Sequence, residues 1–96
     1  METTIERIVI DENNVKIAIT LLKTVSGNYL FLSTPEKAKS LEIPKILLYR
    51  GHLTKKGKDF SKRIYETLKE LGFSENVQIP YIMSKIGDIL KELTLK

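Results

Sequence analysis

The sequence has no cysteine and no tryptophan, a single histidine and only three prolines in its 96 residues. Without cysteine there is no disulfide, no thiolate nucleophile and no zinc–thiolate site, which fits a reducing compartment. No run approaches the roughly 20 consecutive apolar residues that a membrane-spanning helix needs. The opening Met1-Glu2-Thr3-Thr4 is polar and lacks the basic start and apolar stretch of a signal peptide, so a cytoplasmic location is expected. Repeats, low-complexity runs and linker-like stretches are also missing. One domain over residues 1–96 is therefore expected, since a chain of this length buries roughly 60–70% of its unfolded surface and supports one core.

The groups that carry catalysis are equally sparse. His52 stands alone, and no pair of histidines or acids has metal-ligand spacing on a helix face. The six serines, at 26, 33, 40, 61, 74 and 84, fall in no nucleophile-elbow or Ser-x-x-Lys context. Gly57 is isolated, so no glycine loop cradles a phosphate. The expectation is a non-catalytic protein without cofactor or metal.

What the chain does have is uneven positive charge. Its net charge is +4, carried by thirteen lysines and three arginines against twelve acids. Residues 1–14 hold a net of −3, residues 15–34 a net of +2, and residues 67–96 balance. Residues 35–66 hold a net of +5 from Lys37, Lys39, Lys45, Arg50, Lys55, Lys56, Lys58, Lys62 and Arg63. A local excess of this kind attracts phosphate by releasing condensed counterions, although a solvated lysine face reads the same way. The lysine-rich, isoleucine-rich, cysteine-free composition also resembles that of proteins from heat-loving organisms.

Periodicity outlines an α+β chain. Ile5–Ile10 is short, apolar and β-branched, and predicts a strand. Asp11-Glu12-Asn13-Asn14 predicts a turn or helix start. Residues 15–25 fit two periods. Val15, Ala18, Ile19, Leu22 and Val25 recur at helical spacing, while Val15, Ile17, Ile19 and Leu21 alternate as in a strand. The strand alternative uses Ser26-Gly27-Asn28 as a hairpin turn into a strand at Tyr29–Leu32. Ser33-Thr34-Pro35-Glu36 has capping-box spacing and predicts a short helix over residues 35–41, limited by Pro44. Lys58–Leu71 predicts a helix with the stripe Phe60, Ile64, Leu68 and Leu71, ended by Gly72. Pro80 opens a last helix with Ile79, Ile82, Met83, Ile86, Ile89 (or Leu90) and Leu93 on one face. The two helices are expected to form an antiparallel pair.

Residues 38–50 read Ala-Lys-Ser-Leu-Glu-Ile-Pro-Lys-Ile-Leu-Leu-Tyr-Arg. This stretch resembles the core of a bacterial or archaeal helix-turn-helix. Ala38 matches the small packing position, Leu41 and Ile43 the buried positions flanking the turn, and Leu48 the buried position of the third helix. With the strand at Tyr29–Leu32 and the Leu53–Gly57 stretch, residues 13–71 are similar to winged-helix domains, and residues 34–58 carry the likeness. The resemblance implies a small winged-helix-like domain with an N-terminal strand and a C-terminal antiparallel helix pair. It implies a recognition helix near residues 45–50, with Lys45, Tyr49 and Arg50 turned towards DNA bases. Lys45–Tyr49 fits a buried strand equally, since Ile-Leu-Leu-Tyr has good strand propensity, and the alternative fold is a β-meander of residues 5–32 packed by helices.

The functional expectation is a DNA-binding regulator or architectural protein. Lys55, Lys56, Lys58 and Lys62 would hold phosphates, with His52 beside them, and the 80–95 helix would form a homodimer. A non-catalytic accessory subunit of a replication or transcription complex is the alternative, docking a partner through the C-terminal helix or a strand edge. RNA ranks behind DNA, with Tyr29, Phe31 and Tyr49 as stacking rings.

Overall fold

Val15, Ile17, Ile19 and Leu21 are all buried, and this period of two settles the ambiguous stretch as strand. In the computed structural model, which describes residues 1–94, Val15–Thr24 is β2 of a four-stranded antiparallel sheet. The others are β1 (Thr3–Glu12), β3 (Gly27–Ser33) and β4 (Ala38–Glu42), in the order β1-β2-β3-β4. Asn13 and Asn14, at φ 54° and 63°, form the β1–β2 turn. Two consecutive residues with positive φ match the right-handed twist of the flanking strands, and Asn tolerates that conformation. The β1–β2 register shifts between Thr4 and Glu6, a bulge at Ile5.

The short helix expected over residues 35–41 is not formed. Thr34 makes a turn instead, donating its N–H to the Lys37 carbonyl at 2.7 Å and accepting the Lys37 N–H on its hydroxyl at 3.0 Å. The chain reverses there, and β4 pairs with β3 from Ser33↔Ala38 to Tyr29↔Glu42. The deciding pattern is Leu41 and Ile43, two apart and both buried, which a helix cannot place on one face. Residues 45–50 hold no helix either. Pro44 has no N–H to give and biases Ile43 towards extended backbone. Five or six residues before a glycine are too few to nucleate a helix. Leu48–Tyr49 (β5) and His52–Leu53 (β6) instead form a small hairpin, turned by Arg50 and Gly51 at φ 51° and 82°.

The two helices follow. α1 spans Lys55–Glu70 and α2 spans Gln78–Thr94, starting three and two residues earlier than their sequence signals. Phe60, Ile64 and Leu68 are buried as expected. α1 ends in a Schellman turn: Phe73 N–H bonds Leu68 O at 3.1 Å, Gly72 N–H bonds Lys69 O at 3.0 Å, and Gly72 takes φ 98°. Side chains of the first half of α1 meet the second half of α2 across one cleft, so the pair is antiparallel. In the connection, Glu75 accepts from Lys69 Nζ at 2.8 Å. Lys69, and then the Tyr65 hydroxyl, hold the Glu75 carboxyl below the usual carboxylate range.

Both helices pack on one side of the sheet. Ile17, Ile19, Leu21, Leu30 and Leu32 share a single core with Ile64, Leu68, Ile79, Ile82 and Ile86. Of the apolar stripe of α2, from which a homodimer was expected, Ile79, Ile82, Ile86 and Ile89 are covered within the chain at no more than 2% exposure, while Met83, Leu90 and Leu93 stay partly exposed. Leu95, the last residue of that expected 80–95 seam, lies outside the described residues.

Candidate nucleic-acid interface

Thr54 organises the basic region. Its N–H donates to Leu47 O at 2.9 Å, and its hydroxyl donates to Ile46 O at 2.8 Å while accepting the Gly57 N–H at 2.9 Å. One residue thus caps α1 and ties the segment after Pro44 to the first helical turn. Gly57 permits the approach, because a Cβ there would stand 2.5 Å from Leu47 O. Leu47 is buried, and Lys45 and Ile46 are left facing outward.

The result is a groove between residues 42–49 and the start of α1. Lys45, Tyr49, Lys55, Lys56 and Arg63 line it, together with Glu42, Ile43, Asp59 and Phe60. Four of the sequence-selected residues therefore converge: Lys45, Tyr49, Lys55 and Lys56. Arg50 sits at the hairpin turn with its guanidinium 5.4 Å from the centre of the Tyr49 ring, a cation–π distance. His52 pairs with Tyr49 across β5–β6 and is exposed. Lys58 and Lys62 are exposed but do not line the groove; at i, i+4 they share the outer face of α1. Sequence reasoning gives Arg63 no separate role. Seven residues after Lys56, it falls on the same helix face, and that spacing is the signal that could have found it.

The cations of this region have no carboxylate partner among the described residues. The ion pairs there are Lys39–Glu70, Lys69–Glu75 and Lys91–Asp88, and none involves Lys45, Arg50, Lys55, Lys56, Lys58, Lys62 or Arg63. Asp59 and Glu42 lie in the groove without closing to ion-pair distance. The first turn of α1 has no acid and begins Lys55-Lys56-Gly57-Lys58. A helix start already carries partial positive charge from its aligned peptide dipoles, so lysines there oppose the fold's own preference. They add instead to a potential that receives anions, beside backbone N–H groups that α1 leaves free.

A second concavity lies on the other side of the hairpin. It is an apolar cleft of about 230 Å³ walled by Leu47, Leu48, Leu53, Phe60, Met83 and Leu90. Leu48 and Leu53 stand at its rim, 37% and 44% exposed. Among the described residues no group of His, Asp and Glu is arranged to hold a metal ion. No helix of the described residues is long and apolar enough to cross a membrane. Compared with protein families, curated proteins and solved structures, the chain shows no match.

Proposed function

We propose that this chain is a non-catalytic nucleic-acid-binding protein, a DNA-binding regulator or architectural protein, that holds phosphates in the groove between residues 42–49 and the start of α1. The observation that carries the reading is the cluster of unpaired cations gathered at an acid-free helix start. Lys45, Lys55, Lys56 and Arg63 contact phosphate oxygens. Tyr49, under Arg50, offers a ring and a guanidinium to sugar or base edges. Lys58 and Lys62, on the outer face, add long-range attraction.

Contacts to about four phosphates give a slope of log affinity against log salt of about −3.5 on duplex DNA. Replacing Lys55, Lys56 and Arg63 with Gln removes about three units of that slope. A gel-shift or anisotropy salt series measures both. Binding that ignores salt, or that is absent at low salt, sinks the reading. The companion expectation concerns stability: Lys55→Glu and Lys56→Glu each raise it by about 0.3–1 kcal/mol, because an acid suits a helix start. Weaker binding joined to a more stable fold marks these lysines as serving a ligand.

The apolar cleft with its exposed Leu48 and Leu53 favours a second reading, an accessory subunit that docks a protein partner. The charge variants separate the two, since they leave partner capture intact if the cleft is the working surface.

A further inference from the structure

The helices cover one face of the sheet and leave the other open. Register defines what stands there. Arg7, Thr20, Phe31 and Ser40 form one row across the four strands, because Arg7 pairs with Thr20, Thr20 with Phe31 and Phe31 with Ser40. The row to one side is Thr4, Leu22, Tyr29 and Glu42, and the row to the other is Val9, Ala18, Ser33 and Ala38. Two aromatic rings thus lie two residues apart on one strand, with Ser40 beside Phe31 and the acid Glu42 beside Tyr29 on β4. Both rings are only partly buried. The Arg7 guanidinium donates to Thr20 Oγ1 at 3.1 Å. That bond fixes the cation in the row of Phe31, and no acid pairs with it among the described residues.

We propose that this open face binds the unstacked bases of a single-stranded nucleic acid, with Phe31 and Tyr29 as successive stacking platforms and Arg7 over the same row. The proposal rests on the nucleic-acid reading above and names the class of ligand. Alternate residues of a strand place their side chains about 7 Å apart. That is about twice the roughly 3.4 Å rise between stacked bases in a duplex, so the rings suit a strand drawn out of its stack. A duplex hides its base faces and has nothing to offer them. The face is also continuous with the groove. Tyr29 pairs with Glu42 across β3–β4, and Glu42 lines the groove that holds Lys45, Lys55 and Lys56. A single strand leaving the lysines crosses the end of β4 onto Tyr29 and then Phe31.

The test uses the full chain with two labelled probes at low salt, an oligothymidylate of about 12 nucleotides and a blunt duplex of similar length. Doubly substituted Tyr29→Leu/Phe31→Leu protein keeps apolar volume but loses both rings. It is expected to lose oligothymidylate affinity by at least about tenfold and to keep its duplex affinity, while Phe31→Tyr retains both. In wild-type protein, the Phe31 and Tyr29 ring-proton resonances move upfield on adding oligothymidylate and not on adding duplex, a readout independent of any variant. Unchanged oligothymidylate affinity in the double variant overturns the proposal and leaves the groove reading standing, as does the absence of ring shifts. A wild-type dimer that the double variant dissociates, seen by sedimentation, also overturns it by assigning the face to a second copy. Wild-type protein that binds neither probe overturns the groove reading and this proposal together. Duplex binding that survives Lys55→Gln/Lys56→Gln/Arg63→Gln overturns the groove reading alone.

Discussion

At the scale of single residues, Gly57 shows how a position can work against its own element. Glycine inside a helix costs about 1 kcal/mol relative to alanine, so propensity alone makes Gly57→Ala stabilising. The contact reverses the sign. A methyl group 2.5 Å from the Leu47 carbonyl oxygen must push the 43–49 segment off α1, and overpacking of this kind costs about 1–3 kcal/mol. The expected net result is a loss of about 1 kcal/mol in urea unfolding, with weaker phosphate binding because Lys45 moves away from Lys55 and Lys56. A stabilised variant with unaltered binding would show that the contact holds nothing in place. Lys55 and Lys56 repeat the theme, since their charge opposes the helix start. The region that gathers the cations is where local preference and the structure disagree.

At the scale of elements, how well each was legible depended on how far apart its determinants lie. α1 and α2 were readable because stripe and cap are local: Phe60, Ile64, Leu68 and Gly72 suffice for the first. β1 and β3 were readable from β-branched and aromatic runs. β4 was not. Its local signals, Ser33 with Glu36 and Thr34 before Pro35, favour a helix start, and only pairing with β3 and burial of Leu41 and Ile43 against distant residues decide for strand. Residues 45–50 failed for the same reason, with the positive φ at Arg50 adding a turn that sequence rarely signals at arginine. Of the candidate site, the lysines at the start of α1 were legible as charge. Their convergence with Lys45 and Arg63 required the fold.

The α1–α2 connection makes a pH prediction at this same scale. Lys69, and then Tyr65, depress the Glu75 carboxyl, so its contribution is present above the unfolded carboxylate value and fades as pH falls through the folded one. Glu75 raises Lys69 and Tyr65 by hydrogen bonding. Their contributions are present below the unfolded values and fade as pH rises through the folded ones. Glu75→Gln is therefore expected to flatten both the acid and the alkaline limbs of Tm against pH. Limbs unchanged in the variant would place the pH dependence elsewhere.

At the scale of the whole molecule, sheet and helices form one body, with a radius of gyration of 13.0 Å, about that of a compact domain of this length. Stability within it is graded. β2 and β3 each have two neighbours and carry the fully buried Ile19, Leu21, Leu30 and Leu32. The β5–β6 hairpin has two residues per strand, all exposed. Native-state amide exchange is expected to be slowest in β2 and β3 and fast across residues 44–53, with protection returning at the Thr54 N–H that donates to Leu47 O. Equal protection in both regions would contradict this gradient. The hairpin turn at Arg50–Gly51 has one more consequence. Arg7 lies in a strand and Arg63 in a helix, so Arg50 alone offers an arginine-specific protease an exposed turn. Cleavage there parts the chain into a fragment that is all strand and a fragment that is nearly all helix, each owning half of one oily interior. Neither half can shield its own apolar side from water. The nicked protein should thus run as one particle in gel filtration and separate only in denaturant.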